Sequence, residues 1–291
     1  MYKIRLQFII TLLIVFIVAF TGCTLEVDTS VQDDEKDLKV HFIDVGQADS
    51  ILINLPGKVT MLIDAGNNGD KDTVIDYIKS QGIKQIDFLV GTHPHEDHIG
   101  GLDAVIKSVD IGKVYMPKVT HTSKTFKDVL LAIKEKDLKV SSPKPEEVIF
   151  DEDGLEIQFL APVSTKYEEL NNYSIVAKIT YGETSFLLTG DAEELSEKEM
   201  LKKSPSLLTA DVLKAGHHGS SSSTSPEFLK TVNPTYAVIS VEEGNSYGHP
   251  HKEVIERLDK SGIKYYRTDK NGTIVMASDG KNINISVEKS Q

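Results

Sequence analysis

Thr92-His93-Pro94-His95-Glu96-Asp97-His98-Ile99-Gly100-Gly101 follows an apolar run over residues 86–90 that reads as a buried strand. A His-x-His pair in a tight loop can aim two imidazoles at one cation, and the adjoining Asp97 and His98 can serve a second cation beside it. Imidazole and carboxylate donors at this density suit Zn²⁺ or another transition metal. Pro94 stiffens the loop and lowers the entropy lost on coordination. Gly100 and Gly101 are expected to let the backbone turn into the next helix.

Working outward, the chain holds nine histidines, most of them clustered. His93, His95 and His98 form the first group, His217 and His218 a second, and His249 and His251 a third. His41 and His121 stand apart, and His121 lies in a polar stretch that reads as surface. Short Val/Ile/Leu-rich runs broken by glycines predict strands over 38–45, 50–55, 59–63, 86–90 and 114–116. Helical spacing appears over 73–79, after Gly100, and over 126–138, where Val129, Leu130 and Ile133 are expected on one face. The second half repeats the scheme. Strands are expected over 155–161, 174–180, 185–189, 212–215, 237–241, 265–268, 273–277 and 283–287, with helices over 193–202, 226–232 and 254–261. Two successive sets of strands, each with helices, predict two packed sheets covered by helices on their outer faces.

His-x-His-x-Asp-His followed by Gly-Gly resembles the signature of the metallo-β-lactamase superfamily. Further stretches fit in order: Leu62-Ile63-Asp64-Ala65-Gly66, Leu187-Leu188-Thr189-Gly190-Asp191, and Leu213-Lys214-Ala215-Gly216-His217-His218-Gly219-Ser220. The resemblance covers residues 38–288 and implies a four-layer αββα sandwich of the α+β class with a dinuclear site at one edge. Carried across, His93 and His95 would hold one divalent metal, Asp97 and His98 the other, and Asp191 would bridge them. Asp64 would orient a ligand histidine. His217 is expected to complete the second site and His218 to act in catalysis with Asp97, with His249 as a further catalytic group or an alternative second-site ligand. Adjacent strand-end residues point oppositely, so His217 and His218 are not separable at this level. The family's usual histidine between the first cluster and the bridging aspartate is absent, and Asn172 stands near its place. That departure admits Mn²⁺ beside Zn²⁺. The loop from Ser220 to Ser225 reads either as an anion-holding loop or as a helix cap.

Lys3 and Arg5, an apolar run over 8–20, and Thr21-Gly22-Cys23 have the order of a secretory signal. The placement of Cys23 resembles a bacterial lipobox, which implies lipidation there and a body anchored outside the cytoplasm. The domains expected are a signal peptide over 1–22, a lipidated acidic linker over 23–37 and a hydrolase domain over 38–291. Cys23 is the only cysteine, so no intrachain disulfide can form. A formal net charge of −12 argues against tight sequence-independent DNA binding, although bound divalent metals would reverse the local field.

The run Phe42-Ile43-Asp44-Val45-Gly46-Gln47-Ala48-Asp49-Ser50, with His-His-Gly-Ser and Tyr-Gly-His-Pro, resembles the hydrolase domain of ComEC-type competence proteins and the teichoic-acid phosphorylcholine esterases. Those relatives imply a phosphodiester substrate, nucleic acid or cell-envelope polymer, attacked by a hydroxide between two metals. No protein partner is implied. The alternatives are an ester, thioester or lactam hydrolase of the same fold, and a non-catalytic surface-binding lipoprotein.

Overall fold

The computed structural model describes residues 36–289. The signal segment and Cys23 lie outside the described residues, as does the linker except for its last two positions. Among the described residues no helix is long and apolar enough to cross a membrane.

The first half runs β1 (Leu38–Phe42), β2 (Ile51–Leu55), β3 (Val59–Ile63), α1 (Lys71–Ser80), β4 (Gln85–Val90), α2 (Glu96–Ile99), α3 (Leu102–Ser108), β5 (Asp110–Tyr115), α4 (Lys124–Glu135) and β6 (Val140–Ser141). The second half runs β7 (Glu147–Glu152), β8 (Leu155–Ala161), β9 (Val176–Tyr181), β10 (Thr184–Leu188), α5 (Glu194–Lys203), β11 (Val212–Lys214), α6 (Pro226–Val232), β12 (Tyr236–Ile239), α7 (Lys252–Lys260), β13 (Lys264–Arg267) and α8 (Thr268–Asn271). β14 (Ile274–Ser278) and β15 (Ile283–Val287) then return to the first sheet.

The sheets have the orders β15-β14-β1-β2-β3-β4-β5-β6 and β13-β12-β11-β10-β9-β8-β7. Strand side chains alternate between faces, and this sorts the apolar residues into three layers. Val40, Met61, Phe159 and Phe186 fill the space between the sheets. Leu52, Leu62 and Leu89 face outward against Val74, Ile78, Val105 and Val129 of the helices. Leu187, Leu213 and Ile239 do the same on the far side against Met200, Phe228 and Val254. The result is the αββα sandwich.

Two local readings change. In α4, capped by the Ser123 hydroxyl accepting from the Phe126 N–H, the buried face is Phe126, Val129, Ala132 and Ile133. Leu130 sits one helical step round and is 40% exposed. β7 was not expected because Glu147, Asp151 and Glu152 dilute its apolar pattern. It is a half-exposed sheet edge, where polar side chains are tolerated.

What positions the site is the direction of the strands. β3 and β4 are parallel neighbours in one sheet, and β10, β11 and β12 in the other. Their carboxyl ends deliver Asp64, the His93–His98 loop, Asp191 and the His217-His218 pair to one edge, the place where ligands bind in parallel sheets.

Away from that edge, His41 on β1 is buried against the Tyr77 hydroxyl, 2.9 Å from its Nδ1. Burial, with Lys39 nearby, lowers its pKa to about 4. Between pH 6.5 and 4 the unfolded chain therefore takes up a proton that the folded chain refuses. Stability contributed here is complete above pH 6.5 and falls with pH, by up to about 3 kcal/mol. In urea titrations at pH 7 and pH 4.5, His41→Gln is expected to lose less stability on acidification than the unaltered protein. Equal losses would remove His41 from the acid response.

Candidate metal centre

Asp64 leaves β3 in a left-handed conformation, φ 59°, and is fully buried. One carboxylate oxygen accepts from the Thr92 N–H at 2.8 Å. The other accepts from the Thr92 hydroxyl at 2.7 Å and lies 2.7 Å from His98 Nδ1. This fixes both the loop after β4 and the ring of His98. The glycines that follow serve a purpose other than turning. Gly100 is helical, φ −58°, but a Cβ there would sit 2.2 Å from the Asn67 and Asn68 backbone. A Cβ on Gly101 would sit 2.4 Å from the Ala65 carbonyl. The loop is held by close approach to the turn after Asp64, which only glycine permits.

Asp97, His98, Asp191 and His218 converge. His98 Nε2 is 3.2 Å from Asp191 Oδ1 and 3.8 Å from Asp97 Oδ2. His218 Nε2 is 3.3 Å from Asp97 Oδ2 and 3.7 Å from Asp191 Oδ1. Donors at about 2.1 Å from a tetrahedral cation lie about 3.4 Å apart, so these four atoms have the spacing of one coordination shell. His98 Nε2 and Asp191 Oδ1 are buried and lack hydrogen-bond partners, an arrangement that a cation between them would satisfy. The donor set fits a divalent transition metal.

The other oxygen of Asp191 faces a second group. Its Oδ2 is 3.9 Å from His93 Nε2 and 3.7 Å from His217 Nε2, and His93 Nε2 is 3.0 Å from His95 Nδ1. This group is more open than the first. His217 and His218 reach opposite oxygens of one carboxylate because the chain leaves β11 with both in left-handed conformations, φ 49° and 53°. Such backbone costs roughly 1–3 kcal/mol per residue and is characteristic of functional sites. His218 stands in the Asp97–His98–Asp191 cluster, the place expected for His217, and His217 stands on the His93 side at the rim.

Residues 43–242 match the metallo-beta-lactamase superfamily. The chain belongs to that superfamily. It is 35% identical over 256 residues to ComE operon protein 3 of Bacillus subtilis (strain 168), covering 81% of this chain and 32% of that protein. It is 30% identical over 241 residues to Competence protein ComA of Neisseria gonorrhoeae, covering 82% of this chain and 32% of that protein. The chain thus spans about a third of the length of these curated relatives. The fold of the metallo-beta-lactamase fold protein YhfI from Bacillus subtilis superposes with a TM-score of 0.54 at 14% identity, covering 84% of this chain and 100% of that one.

Within this superfamily site the charges are strongly coupled. Burial disfavours a charge on His98, yet Asp191, Asp64 and Asp97 outweigh it and hold its pKa well above the ordinary value. His218 is likewise raised, against burial, by Asp191, Asp97 and Asp49. Burial opposes ionisation of Asp97 and Asp191, but His98 and His218 keep both carboxyls below the usual range. His93 is pushed well down by burial and by His98. The protein walls thus carry an excess of negative charge at the point where cations would sit.

Asp97, Asp191, His95, His217, His218 and His249 line a cavity of about 310 Å³ with Gln47, Glu96 and Tyr247. His249 Nδ1 is 3.4 Å from Gln47 Nε2, and its ring stacks with Tyr247. Burial, with His217 and His218 nearby, lowers its pKa to about 4. His251 is peripheral: its Nδ1 accepts from the Ser221 N–H. His121 is half-buried and bonds Ser123.

Two expected groups sit back from the metal cluster. Asn172 accepts from the Ser196 N–H and donates to Glu193, so it caps α5. Its neighbour Asn171 is the one that reaches His217 Nδ1, at 3.3 Å. Ser220 pairs with Ser222, and Ser222 donates to Glu193. The loop offers no free N–H groups to an anion at Thr224 and Ser225, because the Glu197 carboxylate already accepts from both. Sequence reasoning assigned no role to Asp49, Glu193 or Lys214. A lysine in the otherwise apolar run 212–215 was the available signal.

Proposed function

We propose that this protein is a metal-dependent phosphodiester hydrolase, lipid-anchored at Cys23 outside the cytoplasm. The observation that carries the reading is the convergence of Asp97, His98, Asp191 and His218 beside an open cavity that the first, third and fourth of them line. The relatives named for competence favour nucleic acid as the phosphodiester over a small ester or lactam.

Asp191 would serve both cations, with His93 and His95 on one side and Asp97, His98 and His218 on the other. Zn²⁺ or Mn²⁺, when bound, supplies Lewis acidity and brings water within reach of ionisation at neutral pH. The chain's own groups do the rest. Asp64 holds the ring of His98 so that Nε2 faces the cluster. His217, tethered through Nδ1 by Asn171 and Ser222, presents Nε2 to the cavity as a contact for a phosphoryl oxygen. His249 is neutral at pH 7, so it can offer substrate a hydrogen bond but has no proton to give as an acid.

Purified protein is expected to hydrolyse bis-p-nitrophenyl phosphate when Mn²⁺ or Zn²⁺ is added, and Asp97→Asn to lose that activity. A chain inert toward phosphodiesters but active on a thioester or lactam panel would overturn the substrate class. The anchor has its own test: the full chain should partition into detergent and Cys23→Ser into the aqueous phase. Identical partitioning would refute lipidation.

A further inference from the structure

Lys214 is the last residue of β11, on the same face of the strand as Val212, and so points between the sheets. It is fully buried. Its Nζ donates to Asp49 Oδ2 at 2.7 Å and to the Ala215 carbonyl at 3.1 Å. Asp49 precedes β2 in the opposite sheet and is 1% exposed. The pair therefore ties the two halves of the sandwich together directly beneath the metal cluster.

Stability alone does not account for it. A buried ion pair gains little over well-packed apolar residues of the same volume, because desolvation of both charges offsets their attraction. Asp49 Oδ1 is moreover left without a hydrogen-bond partner. Its position supplies the reason. Oδ1 lies 3.7 Å from His218 Nδ1, and Oδ2 lies 3.9 Å from His98 Nδ1. His98 Nδ1 already faces the carboxylate of Asp64, but His218 Nδ1 has only the neutral Ser240 carbonyl, at 3.0 Å. Asp49 is the nearby carboxylate that His218 otherwise lacks. Its backbone also anchors the site, since its N–H donates to the Asp97 carbonyl and its own carbonyl accepts from the Gly66 N–H.

We propose that the Asp49–Lys214 pair is a positioning device for the second metal site. The carboxylate, oriented by the ammonium behind it, favours the proton on Nδ1 of His218 and His98 and leaves both Nε2 atoms as donors toward the cation. Lys214 is on this account a positioning residue that never touches metal or substrate. The inference rests on the metal-site reading above but not on the identity of the substrate.

The test is calorimetric titration of metal-stripped full chain with Mn²⁺ or Zn²⁺ alone. The charge-neutral double variant Asp49→Asn/Lys214→Met avoids stranding a buried charge. It should keep the near-UV circular dichroism and thermal midpoint of the stripped protein. One class of site should bind about tenfold more weakly, the order seen when partners behind ligand histidines are removed. Co²⁺ loaded into the same variant should show altered d–d absorption. The single variant Asp49→Asn, whose buried lysine can shed its proton, is the second probe should the double variant not fold. Metal affinity within threefold of the unaltered chain in either folded variant overturns the proposal. So does failure of both to fold, because the pair would then be a structural tie. An unaltered chain that binds metal but hydrolyses no phosphodiester would strike the proposed function and leave this inference standing.

Discussion

Asp191→Asn is expected to remove metal-dependent hydrolysis by at least roughly a thousandfold, the upper end of what one transition-state donor contributes. The expectation is large because a single carboxylate faces both groups of histidines, through Oδ1 to His98 and His218 and through Oδ2 to His93 and His217. Asparagine keeps the volume but supplies neither the charge nor two anionic oxygens. A readout independent of turnover is the metal-induced rise in thermal midpoint. A ligand at a hundredfold excess over its Kd stabilises the fold by about 2.7 kcal/mol, or about 5–10 °C in a domain of this size. The unaltered chain should show that rise with Mn²⁺ or Zn²⁺, and Asp191→Asn should show little of it. A variant that still binds two equivalents of metal and turns over substrate would remove Asp191 from the centre of the site.

Asp64→Ala should be the most destabilising single change near the site. It deprives the Thr92 N–H, the Thr92 hydroxyl and His98 Nδ1 of their common acceptor, all within a fully buried pocket. Breaking a buried charged contact on one side costs about 3–5 kcal/mol. The left-handed backbone at φ 59° adds roughly 1 kcal/mol for alanine, which lacks the polar side chain that tolerates it. Urea denaturation of the metal-free protein should register a loss of this size. Asp64→Asn, which keeps an acceptor and accommodates the same φ, should lose about 1–2 kcal/mol. Metal affinity should fall about 10–100-fold in both variants, since the ring of His98 is no longer held by a carboxylate. If Asp64→Ala were as stable as Asp64→Asn, the hydrogen bonds described here would not be what fixes the loop.

The split of duties between His217 and His218 illustrates what the chain alone left open. Two adjacent strand-end residues should point to opposite faces, so either could have been the ligand. Both are instead left-handed, and this turns both Nε2 atoms toward Asp191 while placing only His218 in the tight cluster. Asn171 and Asn172 pose the same problem. They are equivalent in composition, and only the one-turn helix that carries them sends one to His217 and the other to cap α5.

Read alone, the order of residues determined two packed sheets with outer helices and a set of imidazoles and carboxylates suited to a cation. These follow from local rules: periodicity sets strand and helix, and donor type with close spacing sets affinity for a cation. Only the tertiary structure decided which donors share a cation, that Gly100 serves close approach rather than turning, and that Asp49 and Lys214 meet across the two sheets. Those outcomes depend on distances of a few ångströms between segments far apart in the chain, and no local pattern encodes such distances.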